Sequence, residues 1–170
     1  AYRRRHDHMV ERRAETSFAS KWGGDWKAIS FYNRATRTEQ MVLQKGHVVP
    51  DQPTLVRMHQ LSLLDDIYGA EGKRSDLLAR SMEIIGREGS GLIVLLAGAD
   101  DGEFLSKSIT RWASKGAPGD MDELRNYGVG AQLLAELGVH DMILLTNSHH
   151  SLIALDGYDL SVVGHRPIEL

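Results

Sequence analysis

The sequence predicts an α/β domain in which a mixed sheet is flanked by helices, and three patterns lead to that prediction. Residues 14 to about 60 carry short apolar or alternating runs separated by turn residues, which indicates a β-rich N-terminal third. After this region, helical and strand-like segments alternate, as is typical of α/β architecture. Residues 92–96 and 142–145 are fully apolar runs, the pattern of strands that are buried on both faces of a sheet.

Each element follows from local spacing and turn signals. The predicted strands lie at residues 30–32, 41–43, 54–58, 92–96, 142–145 and 160–163. The first three are expected to form a small antiparallel meander. Helices are predicted over residues 76–86, 103–113 and 123–137. Asp120 or Asp122 would cap the last helix at its N-terminus, and Gly138 would cap its C-terminus.

Composition narrows the class of protein. A chain of 170 residues with 42% hydrophobic residues is expected to form one domain with its own core. It contains no cysteine, which excludes disulfides, catalytic thiols and thiolate zinc sites. The formal charge of −3 argues against a nucleic-acid binder. No apolar run has membrane-spanning length, so we expect a cytoplasmic protein that does not bind membranes.

The most specific segment of the chain is Leu-Arg-Asn-Tyr-Gly-Val-Gly-Ala-Gln-Leu-Leu at 124–134, followed by Leu-Gly-Val at 137–139 and Leu-Leu-Thr-Asn at 144–147. With Leu-Asp-Gly-Tyr at 155–158, these residues closely resemble GTP cyclohydrolase II, the zinc enzyme that opens the guanine ring of GTP at the start of riboflavin synthesis. The resemblance is strong from 123 to about 168 and weaker from 14 to 105. It implies a GTP cyclohydrolase II-like fold, a purine nucleotide or related small molecule as ligand, and a homodimer.

The charged residues 1–13 resemble the linker that joins a dihydroxybutanone-phosphate synthase domain to a cyclohydrolase domain in bifunctional riboflavin proteins. We therefore expect residues 1–13 to be a linker helix from a preceding, fused synthase domain. Residues 14–170 would then be the GTP cyclohydrolase II-like domain.

The zinc ligands of the family are replaced in this sequence. The family's Arg-Val-His-Ser-Glu-Cys stretch is Arg-Met-His-Gln-Leu-Ser at 57–62, and its Cys-Asp-Cys element falls on Lys-Arg-Ser at 73–75. The three ligand positions therefore hold Ser62, Lys73 and Ser75, which are poor zinc ligands. Because hydrolysis of a purine ring needs water that a metal has acidified, we expect no metal site, no cofactor and no zinc-dependent ring opening.

The substrate residues of the family are only partly retained. The Arg-Gln-Glu-Gly-Arg loop that grips the triphosphate falls on residues 97–101, where two acids would repel a triphosphate. The connection from there to Glu123 is also shorter than in the family. The catalytic Asp-x-Arg pair falls on Glu123 and Arg125, and the substrate-binding positions Arg57 and Thr146 keep the family's residues. The family's ligand-contacting Lys falls on Ser151.

Other interpretations of these residues remain open. Glu123 and Arg125 could simply cap and solvate the start of a helix. The His149–His150 pair could join His59 or His165 in a rebuilt metal site, although a polar helix start is favoured because adjacent histidines diverge. The repeated glycines at 128 and 130 favour close helix packing over a dinucleotide turn.

Two functional hypotheses follow. The first is a degenerate cyclohydrolase domain of a riboflavin biosynthesis protein that acts as a dimerisation or regulatory module. The alternative is an active cyclohydrolase or ligand-binding domain with an altered substrate or a rebuilt site.

Overall fold

The computed structural model describes residues 9–97, 102–114, 120–148 and 159–170, with residues 120–126 described as backbone. The strands in these ranges are β1 (Val10–Ser20), β2 (Gly24–Asn33), β3 (Thr38–Lys45), β4 (Thr54–Gln60), β5 (Gly91–Leu96), β6 (Asp141–Leu145) and β7 (Ser161–Arg166). The helices are α1 (Leu63–Asp66), α2 (Leu77–Glu88), α3 (Phe104–Ala113) and α4 (Asp120–Glu136).

The seven strands form one mixed sheet in the order β1-β2-β3-β5-β4-β6-β7. Antiparallel pairing joins β1, β2, β3 and β5, and parallel pairing joins β5, β4, β6 and β7. The expected mixed sheet with a strand-rich N-terminal region is therefore confirmed.

The predicted meander is right for β2 and β3 and wrong for β4. Instead of following β3 in the sheet, β4 lies between β5 and β6 and runs parallel to both. Six consecutive residues of β4, from Thr54 to His59, are buried. A strand that is covered on both faces belongs in the centre of the sheet, whereas a meander edge would show alternating burial.

Helices cover the two faces of the sheet, and each face has its own apolar core. On one face, Leu133 and Leu134 of α4 pack with side chains of β2, β4 and β5. On the other face, Met82 and Ile85 of α2 pack with Leu55 and the remaining side chains of β5. The fully buried β5 serves both cores, which confirms the prediction of a central strand at 92–96.

The helix at 124–134 packs closely on β4 at Gly130. A Cβ atom on Gly130 would overlap the Cε of Met58, so a larger residue here would require the flexible end of the Met58 side chain to move. At the other end, Gly138 takes a φ of 85° while its amide bonds to the carbonyl of Ala135. Val139 bonds in turn to Leu134, completing a Schellman cap, so the prediction of a Gly138 cap is confirmed. Because Asp120 is the first residue of α4, both Asp120 and Asp122 lie inside the helix, and the prediction that one of them caps it is wrong.

The predicted linker helix is wrong over residues 10–13, which belong to β1. Val10 is paired with Asn33 and Arg12 with Phe31, and the pairing shifts between Arg12 and Ala14. Backbone pairing with β2 has overridden the polar composition that favoured a helix. Residues 1–8 lie outside the described part of the chain, and the division into linker and domain stays a prediction.

Candidate functional site

The candidate site lies where three parallel strands end at the same edge of the sheet. Arg57 and His59 are on β4, β5 ends nearby at Leu96, and Thr146 follows the last residue of β6. The carboxyl ends of parallel strands are where α/β folds usually place their ligands. The fold therefore brings the predicted substrate positions Arg57 and Thr146 to the ends of neighbouring strands.

Arg57 is a buried cation with few partners. Its Nη1 donates to the carbonyl oxygen of Leu145 at 3.4 Å, and its Nη2 lies 3.4 Å from Nδ1 of His59. Its Nε has no hydrogen-bond partner. Burial, with a smaller contribution from the nearby charge of Arg74, lowers the pKa of Arg57 to about 10. Arg57 therefore stays charged at neutral pH although only 8% of the residue is exposed to solvent.

His59 is held by hydrogen bonds at both ring nitrogens. Its Nε2 lies 2.9 Å from Oδ2 of Asp66, and its Nδ1 faces Arg57. Burial lowers the pKa of His59, against the opposing effect of the Asp66 carboxylate. A neutral ring fits these contacts, because Nε2–H then donates to Asp66 while Nδ1 accepts from Arg57.

Ser62, at the family's first cysteine position, is occupied by internal contacts. It caps α1, and its hydroxyl donates to Oδ2 of Asp65 at 2.7 Å while accepting from the Asp65 amide at 3.4 Å. The amide of Ser62 donates to Oδ2 of Asp66 at 2.8 Å. Arg74 closes the cluster, with its Nε 3.7 Å from Asp65 and its Nη2 donating to the carbonyl of Gln60 at 2.9 Å.

These residues do not fit a zinc ion. The Ser62 hydroxyl is bonded to a carboxylate, and the cation beside that carboxylate is the guanidinium of Arg74, not a metal. Lys73 is exposed at the family's second ligand position and would repel a dication. Across the described ranges, no group of three His, Cys, Asp or Glu side chains is arranged to hold a metal ion.

The remaining predicted residues differ in how they are placed. The hydroxyl of the buried Thr146 donates to the carbonyl of Ser148 and accepts from its amide, both at 3.0 Å. Glu123 and Arg125 lie in the first turns of α4, where the structure describes the backbone. Residues 98–101 and 149–158, including the acidic pair, the His149–His150 pair and Ser151, lie outside the described residues.

Sequence reasoning missed the acids and the arginine that complete the cluster. Ser62 and Asp65 have the Ser-x-x-acid spacing of a capping box, and this signal could have indicated α1. No sequence pattern indicated that Arg74 would reach Asp65 and Gln60, because that contact depends on the path of the chain between α1 and α2.

Comparison with known proteins assigns the family. The model of the GTP cyclohydrolase II family matches residues 11–167. The chain belongs to the GTP cyclohydrolase II family.

Curated relatives are riboflavin biosynthesis proteins. The chain is 32% identical over 183 residues to RibBA of Aquifex aeolicus, covering 99% of the chain and 44% of the relative. It is 32% identical over 186 residues to RibBA of Bacillus cereus, covering 100% and 45%. It is also 34% identical over 182 residues to the monofunctional riboflavin biosynthesis protein RIBA 3, chloroplastic, of Arabidopsis thaliana, covering 98% and 35%. The chain thus spans less than half the length of these relatives.

A solved structure shares the fold. The crystal structure of RibBX from A. baumannii, a two-domain 3,4-dihydroxy-2-butanone 4-phosphate synthase, matches 99% of this chain and 43% of that chain. The TM-score is 0.60 at 21% sequence identity. Among the described helices, none combines the length and the apolar character needed to cross a bilayer.

Proposed function

We propose that this chain is a degenerate GTP cyclohydrolase II domain of a riboflavin biosynthesis protein, without zinc-dependent ring opening of its own. The proposal rests on the residues that occupy the family's three zinc-ligand positions. Ser62, Lys73 and Ser75 stand where the family has cysteines, and Ser62 is tied to Asp65 by a 2.7 Å hydrogen bond. The domain then acts as a dimerisation or regulatory module in the cytoplasm.

The buried groups at the site do not replace the metal chemically. A general base must reach the water that it activates, yet the nitrogens of His59 face Asp66 and Arg57. Asp66 is no better placed, since its Oδ2 accepts from both His59 and the Ser62 amide and its Oδ1 is buried away from water. Neither side chain is available to generate hydroxide in the absence of a metal-bound water.

The relatives support a place in a larger protein. The RibBA proteins extend well beyond the region that this chain matches, and RibBX is a two-domain synthase of which this chain matches less than half. We infer that a dihydroxybutanone-phosphate synthase domain precedes residue 1. In such a protein the synthase would supply the catalysis, and this domain would supply assembly or regulation.

The test is formate release from GTP by the purified chain, in the presence of magnesium and added zinc. A family member that retains the three cysteines serves as the positive control. We expect no release above background from this chain and no stoichiometric zinc in the purified protein. Formate release at a rate comparable with the control would refute the proposal.

A second function, ligand binding without GTP hydrolysis, is favoured by the state of Arg57. This cation is buried, and its Nε has no hydrogen-bond partner. Buried polar atoms that lack a partner are costly, so they mark a place where a polar ligand would gain hydrogen bonds. Glu123, Arg125 and Thr146 are the further residues that we propose for this ligand.

Thermal shift with nucleosides, flavins and pterins tests this second function. A ligand held by Arg57 should raise the melting temperature of the wild-type chain and have a smaller effect on Arg57→Met. Arg80→Met, which changes an arginine on the surface of α2, is the matched control. If no compound in the three classes stabilises the wild-type chain, ligand binding at this site is ruled out for them.

A further inference from the structure

Polar side chains interrupt the apolar core that lies between the sheet and α4. Phe31 of β2 and Val42 of β3 belong to this core, and side chains two or four residues apart on a strand share a face. Asn33, Thr38 and Gln40 therefore lie on that face, where they are 1%, 9% and 4% exposed. A fourth polar residue reaches them from α4. We define the polar belt as these four residues: Asn33, Thr38, Gln40 and Gln132.

Internal hydrogen bonds account for three members of the polar belt. Asn33 donates through Nδ2 to Oε1 of Gln132 at 2.7 Å. Its Oδ1 accepts from the amides of Ala35 and Thr36 at 2.9 and 3.2 Å. The hydroxyl groups of Thr36 and Thr38 share a hydrogen bond of 2.7 Å. These bonds connect α4 to the turn between β2 and β3, so these three side chains have a structural role.

Gln40 is the member of the polar belt that the fold does not account for. In the described part of the chain, its Oε1 is buried and accepts no hydrogen bond. A buried acceptor without a partner is destabilising, whereas an apolar side chain of the same size would add to the core. The carboxamide of Gln40 therefore destabilises the unliganded chain, and it marks a place where a donor from a ligand would gain a hydrogen bond.

Gln40 lies at the same edge of the sheet as the candidate site. Met41 of β3 is paired with Leu95, so Gln40 lies beside Leu96, the last residue of β5. The terminal torsion of a glutamine side chain, χ3, has only broad preferences. The carboxamide of Gln40 can therefore turn towards a ligand that lies over the strand ends.

Gln40 and Arg57 lie on opposite faces of the sheet. Val56 and Met58, which flank Arg57 on β4, belong to the core under α4, so Arg57 points to the other face. One strand, β5, separates β3 from β4, which sets these two strands about 10 Å apart. A ligand of the size of a nucleoside or a flavin is long enough to contact both residues, whereas a single phosphate ion is not.

We propose that Gln40 determines which ligand the domain binds, by accepting a hydrogen bond from an uncharged N–H group. The proposal rests on the ligand-binding function proposed above and adds a second contact to it. Arg57 is a cation and a donor, so it selects an anion or an acceptor, whereas Oε1 of Gln40 selects a donor. The polar belt has no charge that would balance a bound cation, so a neutral donor fits it, such as the ring N–H of a lactam.

Thermal denaturation without any ligand tests whether the acceptor is unpaired. Gln40→Met keeps the length of the side chain and removes the buried oxygen, so we expect the melting temperature to rise by about 2 °C or more. Gln44→Met is the matched control, because Gln44 is on the same strand and face, is less buried and already donates to the carbonyl of Gly46 at 3.0 Å. The control should keep or slightly lower the wild-type melting temperature.

Thermal shift titrations with matched pairs of compounds test the contact itself. The compounds are inosine, riboflavin and pterin, each beside a counterpart that is methylated at the lactam nitrogen and so lacks the N–H donor. For a compound that stabilises the wild-type chain, Gln40→Met or methylation should each raise the dissociation constant about tenfold. Both changes remove the same hydrogen bond, so methylation should have little further effect on Gln40→Met. Gln44→Met should change the dissociation constant by less than about twofold.

The outcomes separate this contact from the ligand-binding function. A melting temperature of Gln40→Met at or below that of wild type overturns the contact, because the oxygen then has a partner in the unliganded chain. A compound that stabilises wild type and Gln40→Met equally also overturns the contact, but it leaves the ligand-binding function in place. If no compound stabilises the wild-type chain, the ligand-binding function is overturned together with the contact.

Discussion

Asp66 accepts two hydrogen bonds that hold α1 against the end of β4, and its side chain is 2% exposed. Nε2–H of His59 donates to Oδ2 of Asp66 at 2.9 Å, and the amide of Ser62 donates to the same oxygen at 2.8 Å. If these bonds have taken over the role of the family's metal, removing the carboxylate should loosen the segment from Ser62 to Arg74.

The expected losses differ between two substitutions. Asp66→Ala leaves two buried donors unpaired, and a hydrogen bond to a charged acceptor contributes about 1.5–3 kcal/mol, so the free energy of unfolding should fall by about 3–5 kcal/mol. Asp66→Asn keeps an oxygen in the position of Oδ2 and loses only the charge. Its cost should be about 1–2 kcal/mol.

Urea denaturation at neutral pH measures both losses, with Asp51→Asn as the matched control because Asp51 is exposed. The control should stay within about 0.5 kcal/mol of wild type. EDTA should not shift the wild-type midpoint, since no metal is expected at the site. A loss below about 1 kcal/mol for Asp66→Ala would show that Asp66 does not hold this segment. A shift of the wild-type midpoint with EDTA would show that a bound metal contributes to the stability of the chain.

Two further predictions concern stability. Burial lowers the pKa of His59 below the ordinary histidine value of about 6.5. At a pH just below 6.5 the unfolded chain therefore binds more protons than the folded chain. The free energy of unfolding should fall as the pH drops below 6.5. His59→Gln should flatten this pH dependence, which urea denaturation from pH 7 to pH 5 measures. His47→Gln, at an exposed position, should preserve it. An equal change of unfolding free energy with pH in wild type and both variants would contradict the role given to His59. Gly86→Ala should destabilise by about 2–4 kcal/mol, because its Cβ would overlap the Cα of Gly23 and backbone cannot move aside as a side chain can. Arg87→Ala on the exposed face of the same helix is the control for thermal denaturation, and a Gly86→Ala melting temperature equal to that of the control would refute the close contact.

The helices and central strands of the fold could be predicted because their signals are local. The apolar run at 92–96 indicated a strand buried on both faces, and the spacing of Leu77, Met82 and Ile85 indicated one face of a helix. Gly138 similarly indicated a cap, since a left-handed residue at a helix end favours glycine. Such features depend on neighbours within one or two turns of the chain.

The position of β4 and the strand at 10–13 could not be predicted in this way. The burial of β4 on both faces depends on β5 and β6, which come much later in the chain. The polar residues of β1 adopt a strand because β2 supplies hydrogen-bond partners, and that pairing is invisible in the composition of residues 10–13.

For the site, the sequence by itself determined which atoms are available. With no cysteine in the chain and Ser62, Lys73 and Ser75 at the family's ligand positions, thiolate coordination is excluded without any coordinates. Only the tertiary structure decided what fills that place. Asp65 accepts from the Ser62 hydroxyl, and Asp66 accepts from His59 and from the Ser62 amide. Arg74 pairs with Asp65 and donates to the carbonyl of Gln60. The physical reason is that residue types fix chemistry, whereas hydrogen bonds and ion pairs depend on distances of a few ångströms that only the folded chain defines.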